Sequence, residues 1–261
     1  MIHELSANTV AVITGASSGI GRATALALAD KGLRLSLLAR SENDLSEVAE
    51  EAKDRGASEV RHFVCDVRDE EMVDRAVAAT LDRFGRIDVL INSAGLSMKG
   101  AVDGYSLEDW RTVIDTNLTG TFLTCRAVLP AMKRQDGGQI INISSGAGRN
   151  GIKQMAAYCA SKFGVIGFTE SLALEVRNQN IRVSALLPGS VATDFSRAAK
   201  REGGLDRASD RDRGGSGEIG YAMTAEEVAS VIVAMLEQAP QAWMSEVTLR
   251  PLNLELRRTQ I

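Results

Sequence analysis

Apolar residues along this chain fall into short unbroken runs separated by longer amphipathic stretches. Runs at 10–14, 33–39, 60–65, 89–92, 139–144 and 182–187 are apolar almost throughout. Such runs predict strands covered on both faces. The stretches between them carry helical signals. A helix over 22–30 ends at Gly32. Another begins after Ser41, with Asp44 three residues on in place of the usual Glu or Gln of a capping box. Residues 69–84 are helical, and a helix opened by Ser106 continues past 115–120 to residue 129. A long helix with small residues on one face spans 156–178. Thr224, with Glu227 behind it, caps a final helix, and 247–250 is a last strand. No repeat or linker divides the chain. The alternation therefore predicts one α/β domain over 1–261, a doubly wound parallel sheet with helices on both faces. Such sheets bind ligands at the carboxyl ends of their strands, so the residues just after each strand are the ones to read.

Composition narrows the partners. The chain has 261 residues, 44% of them hydrophobic, and a net charge of −4. No basic face is announced, which argues against nucleic acid. Cys65, Cys125 and Cys159 are too few and too scattered for a disulfide framework. They predict reduced thiols in a cytoplasmic protein, with Cys159 a packing residue. His3 and His62 pair with no cysteine at ligand spacing, so no metal site is expected. The first strand begins near Thr9 and leaves no room for a signal peptide. No apolar run approaches the ~20 residues of a membrane helix. One segment differs in kind: 194–218 carries six basic and six acidic residues and few apolar ones. Following the sixth strand directly, it reads as a substrate lid over 194–222.

The turn after the first strand reads Gly15-Ala16-Ser17-Ser18-Gly19-Ile20-Gly21. Gly15 permits a sharp exit from the strand, Gly19 a close approach of a pyrophosphate, and Gly21 close packing of helix on strand. A turn so poor in bulky side chains leaves N–H groups bare at a helix N-terminus, a phosphate site. Arg40, nineteen residues after Gly21, stands where an NAD site carries an acidic residue. A guanidinium there suits a 2′-phosphate, which favours NADP(H) over NAD(H). Arg22, in the first turn of the helix, is the poorer candidate. After the third strand, Asp66 could accept from an adenine amino group, with Val67 offering its backbone. After the fourth, Asn92, Ser93, Ala94 and Gly95 form a small-residue turn against which a cofactor could lie.

The chemical core is "YCASK", Tyr158 to Lys162. Tyrosine and lysine four apart on a helix point the same way. A nearby ammonium favours the phenolate and lowers the tyrosine pKa from ~10 towards use as an acid or base near neutrality. Ser145, thirteen residues earlier at a strand end, could hydrogen-bond a substrate oxygen as charge develops.

With "TGASSGIG", "CDV", "NSAG", the Asn of "DTNLTG", "ISS", "YCASK" and "PGSVATD" in this order, the sequence resembles the short-chain dehydrogenase/reductase family from Thr14 to about Thr224. The resemblance implies a Rossmann-like domain that binds NAD(H) or NADP(H). It implies Tyr158 as acid/base, Lys162 also holding the nicotinamide ribose, and Ser145 orienting the carbonyl. Asn117 would hold a water linking the lysine to solvent. Pro188 and Gly189 would border the nicotinamide, with Val191 beside them, and Thr193 would bind its carboxamide. Arginine at the position of Arg40 carries the 2′-phosphate in NADP-preferring relatives. Two departures stand out. Ser93 replaces a second asparagine, and the tail "WMSEVTLRPLNLELRRTQI" resembles the branch of carbonyl, hydroxy-acid and serine dehydrogenases. The family also implies a dimer or tetramer packed through the long helix at Ala156.

Substrate identity stays open among a 3-oxoacyl thioester, a small keto or hydroxy acid and a bulky ketone. Pocket candidates are Leu96, Met98, Gly146, Arg149, Gln154, Met155, Ser190 and Phe195, of which Arg149 could meet a carboxylate. A dehydratase or isomerase using the same tyrosine, and an NADP(H)-sensing module without turnover, are the competing readings.

Overall fold

The structure is a computed structural model and describes residues 5–193, 222–239 and 241–252. Seven parallel strands form one sheet in the order β3-β2-β1-β4-β5-β6-β7. They are β1 Val10–Thr14, β2 Arg34–Ala39, β3 Glu59–Val64, β4 Val89–Asn92, β5 Gly138–Ile143, β6 Ile181–Pro188 and β7 Glu246–Leu249. The central strands β1, β4 and β5 are buried at every position, which explains their unbroken apolar character.

Alternate residues of each strand serve two cores. Ile13, Leu37, Ile91 and Ile141 pack against α1 Gly19–Ala29, α2 Glu42–Asp54 and α7 Ala225–Leu236. Val12, Leu38, Leu90 and Ile140 pack against α3 Glu70–Phe84, α5 Gly120–Arg134 and α6 Ala156–Val176. The short α4, Leu107–Ile114, precedes α5. No helix among the described residues is long and apolar enough to cross a membrane.

Several boundaries depart from the sequence pattern. Helix α1 starts at Gly19, so the glycines belong to its first turn. Helix α5 runs through Pro130 to Arg134, because Ala131 and Met132 are buried in the core beyond it. That packing outweighs the bond a proline removes. Between α4 and α5, Asp115–Thr119 forms one turn of π-helix. Ser41 precedes α2, but its hydroxyl makes no capping bond. Thr224 forms the full capping box with Glu227.

The lid expected over 194–222 lies outside the described residues except for residue 222, and Phe195 lies outside them too. The flanks are held side by side: Ala192 N–H donates to Met223 O at 2.8 Å, and Met223 N–H to Ser190 O at 3.0 Å.

Candidate active site

The carboxyl ends of β1 to β6 border one cleft of about 250 Å³. Its floor begins at the β1–α1 turn. Gly15 has φ +64°, and a Cβ on it would sit 2.8 Å from the Ala94 backbone. A Cβ on Gly21 would meet the Gly15 carbonyl oxygen at 2.3 Å, so Gly21 lets α1 close on the strand without itself lining the cleft. Thr14, which the sequence reading passed over, fixes the facing wall. Its Oγ1 accepts from Ser93 N–H and Ala94 N–H, both at 3.1 Å. The N-terminus of α1 has no side-chain cap and no acidic residue in its first turn. Charge near it is therefore left to an incoming anion. Ser17, Ser18, Gly19 and Ile20 line the cleft beside it, with a Thr193 methyl 3.4 Å from where a Gly19 Cβ would sit.

Arg40 lines the cleft after β2, and Arg22 is elsewhere, tied to Glu51 of α2. After β3 the cleft is walled by Cys65, Asp66 and Val67. Asp66 is chelated by Arg68: the backbone N–H and Nε each reach Oδ1 at 3.0 Å, and Nη2 reaches Oδ2 at 2.6 Å. Burial pushes the Asp66 carboxyl up, but the bonds from Arg68 and the nearby charge of Arg40 outweigh it and hold the pKa below the ordinary value. Sequence reasoning missed this partner, which already occupies the carboxylate expected to meet an adenine amino group. Burial pushes the Cys65 thiol up to about 11, so it meets the cleft as a neutral group.

Asn92 is not part of the cleft lining. Its side chain lies in the core, donating to Asn142 Oδ1 at 2.9 Å and accepting from Thr124 Oγ1 at 2.7 Å. Asn142 in turn donates to Thr169 Oγ1 on α6 at 2.9 Å. Asn92 thus ties β4 to β5, and only Ser93, Ala94 and Gly95 of its turn face the cleft. Asn117 is likewise behind the wall. Its Oδ1 accepts from Leu96 N–H, and its Nδ2 donates to Leu96 O and Ser161 Oγ, all at 2.9 Å. Its side-chain amide is thus committed to Leu96 and Ser161. Its neighbour Thr116 does line the cleft, and Thr116 Oγ1 is buried without a hydrogen-bond partner among the described residues.

Ser145, Tyr158 and Lys162 meet at the β5 end. The Tyr158 hydroxyl is hydrogen-bonded to the Ser145 side chain, and Ser145 Oγ also accepts from Ala147 N–H at 3.1 Å. Lys162 Nζ lies 5.8 Å from the Tyr158 ring centroid and donates to Ile143 O at 2.8 Å. Ser144 Oγ donates to Lys162 O at 2.9 Å. Strand end and helix are thus stitched together on both sides of the reactive groups. The electrostatics differ from the sequence expectation. Part of Tyr158 reaches the cleft, but its hydroxyl sits among protein atoms, and burial raises its pKa more than the Ser145 bond lowers it. Burial also pushes Lys162 down to about 8. Desolvation thus governs both groups, raising the tyrosine and lowering the lysine.

Pro188, Gly189, Val191 and Thr193 complete the cleft after β6, with Gly189 N–H held by Leu249 O of β7 at 2.8 Å. None of the described pocket candidates lines it. Arg149 is engaged by Glu246 at 2.5 Å and Glu170 at 3.2 Å, which leaves it poorly placed for a substrate carboxylate. Leu96 and Met98 are buried against Tyr158. Gln154 takes φ +64°, and its carbonyl accepts from Gly100 N–H at 2.9 Å, joining the loops after β4 and β5.

The open helix N-terminus, the glycine cradle and the orphaned Thr116 hydroxyl together fit a dinucleotide laid across the strand ends. The family model described as short chain dehydrogenase matches residues 9–203. The chain is 44% identical over 188 residues to a 3-oxoacyl-[acyl-carrier-protein] reductase of Synechocystis sp., covering 72% of this chain and 76% of the relative. Among solved structures it is similar to levodione reductase, with TM-score 0.84, 31% identity and coverage of 94% of this chain and 96% of that one. It is also similar to an actinorhodin polyketide ketoreductase with NADPH, with TM-score 0.82, 33% identity and coverage of 93% and 96%.

Proposed function

The chain belongs to the short-chain dehydrogenase family of oxidoreductases, and we propose that it uses NADP(H) in preference to NAD(H) to reduce a ketone or aldehyde reversibly to an alcohol. The observation that carries this reading is the hydrogen-bonded Ser145–Tyr158 pair beside Lys162, on the rim of a cleft that Arg40 also lines.

A nicotinamide dinucleotide supplies the hydride when bound. The α1 N-terminus and its glycines hold the phosphates, Arg40 the 2′-phosphate, and Pro188 to Thr193 the nicotinamide side. Ser145 donates a hydrogen bond to the substrate oxygen and fixes it next to Tyr158. As charge develops on that oxygen, Tyr158 delivers its phenolic proton there; in the reverse direction it takes the alcohol proton. Lys162, anchored on the Ile143 carbonyl, supports the phenolate with its charge while protonated. Asn117 acts by holding Leu96 and Ser161 in place. We also infer self-association through α5 and α6.

The test is dinucleotide oxidation against a panel of 3-oxoacyl thioesters, keto acids, quinones and bulky ketones, with NADPH and NADH in parallel. Tyr158→Phe should keep dinucleotide binding and lose about 10²–10⁴-fold in turnover. Arg40→Asp should erase the preference for NADPH. Full activity of the first variant removes Tyr158 from the chemistry, and an unchanged preference in the second removes Arg40 from the 2′-phosphate. Binding without turnover on any carbonyl favours the sensing module.

A further inference from the structure

Buried hydroxyls are nearly always paired, and one left alone is costly. Among the described residues only two buried side-chain polar atoms lack a partner, Thr116 Oγ1 and Gln179 Oε1, and only Thr116 lines the cleft. Thr116 as a residue is only 8% exposed. Its environment keeps it there. It lies in the π-helical turn Asp115–Thr119, the type of local bulge that recurs at functional sites. The next residue, Asn117, clamps that turn to the Leu96 backbone just beyond Gly95. Four residues on, Gly120 packs so closely on Val67 that a Cβ there would stand 2.6 Å from its side chain. The turn is therefore wedged behind the β3 and β4 ends, the walls formed by Asp66, Val67, Ala94 and Gly95. Ser145 and Tyr158 are one strand further, at β5.

We propose that Thr116 is a ligand-positioning residue of the dinucleotide site, whose hydroxyl is satisfied by the adenosine half of the bound cofactor. The inference rests on the dinucleotide reading above. A hydroxyl both donates and accepts, so it suits a ribose hydroxyl or an adenine ring nitrogen equally. Thr116 takes no part in proton transfer, so its contribution appears in binding and not in turnover at saturating cofactor.

The experiment measures binding of NADPH and of 2′-phospho-ADP-ribose, which lacks the nicotinamide, to the wild-type protein, Thr116→Val and Thr116→Ser. Valine keeps the shape and deletes the hydroxyl. It should weaken both ligands by roughly three- to tenfold, the worth of one neutral hydrogen bond. Serine should stay within about twofold of wild type. Without ligand, Thr116→Val should melt higher by about 2–4 °C, because a buried unpaired hydroxyl is gone. A residue that merely packs would not weaken the ligand while raising the melting temperature. Unchanged binding by Thr116→Val overturns the proposal. So does a loss confined to NADPH with 2′-phospho-ADP-ribose unaffected, or a lower melting temperature with no selective loss of binding. If the wild-type protein binds neither ligand, the NADP(H) reading itself falls, a result distinct from any of these.

Discussion

At the scale of single residues, burial outweighs neighbouring groups at the Tyr158–Lys162 end of the cleft, whereas at Asp66 the bonds and charge of Arg68 and Arg40 win. Lys162 donates to one carbonyl and is otherwise enclosed, and that enclosure lowers its pKa from 10.5 to about 8. The sign of the consequence follows from proton counts. Between about pH 8 and 10.5 the unfolded chain holds a proton on this lysine that the folded chain has lost, so folding stability rises with pH across that window. Below pH 8 the folded protein carries the whole cost of a buried ammonium, at most about 3 kcal/mol. Lys162→Met removes the titration. Its stability relative to wild type should therefore be highest near pH 7 and fall steadily as pH rises towards 10.5. Denaturant unfolding of both proteins at four or five pH values measures this. A difference that does not vary with pH would mean that Lys162 titrates normally in the folded state. Asn92 teaches the same lesson about burial. Its position at a strand end suggests a cofactor contact, yet its amide is spent on Asn142 and Thr124 inside the core.

At the scale of elements, the difference between a capping sequence and a capping bond is measurable. Thr224 and Ser41 both precede helices with an acidic residue three positions on. Thr224 Oγ1 accepts from Glu227 N–H at 3.1 Å, and Glu227 Oε2 accepts from Thr224 N–H at 2.7 Å. The Ser41 hydroxyl makes no such bond. Thr224→Ala should cost about 1 kcal/mol, whereas Ser41→Ala should cost a few tenths at most. Equal losses in thermal melts would show that the two caps do equal work. Strands and helices were otherwise legible because the central strands are buried for their whole length and helices such as α3 and α7 begin on a capping side chain. The π-turn at Asp115–Thr119 and the passage of α5 through Pro130 were not. Both depend on tertiary packing, Gly120 on Val67 in one case and Met132 in the core in the other. No local pattern reports such contacts.

At the scale of the whole molecule, a parallel sheet gathers residues far apart in sequence along one rim, and this is why so much of the site could be read from strand ends alone. Arg40, Asp66, Gly95, Ser145 and Pro188 stand at or just after the ends of five different strands and line one cleft. What stayed hidden was side-chain partnership: the Arg68 chelate on Asp66, the orphaned Thr116, and the carboxylates that hold Arg149. The same sheet leaves an outer surface to be explained. Helices α5 and α6 bury one face on the sheet, but Phe122 and Phe163 remain 42% and 47% exposed, and Leu174 is 65% exposed. Phe122 meets Phe168 edge to face at 6.2 Å, with Arg126 over its ring at 5.5 Å, so the aromatic surface runs from one helix to the other. An apolar face of this kind, lined by polar side chains, suits an isologous contact in which both helices meet their copies. Light scattering should then give a multiple of the 27.9 kDa chain mass. Phe122→Glu combined with Phe163→Glu should shift the protein to the single-chain mass while leaving NADPH binding intact, since neither residue lines the cleft. A wild-type protein that runs at single-chain mass at micromolar concentration would assign this face to some other partner. An assembly untouched by the two glutamates would place the contact on another surface, with the exposed Trp243 and Met244 beside β7 as the next to substitute.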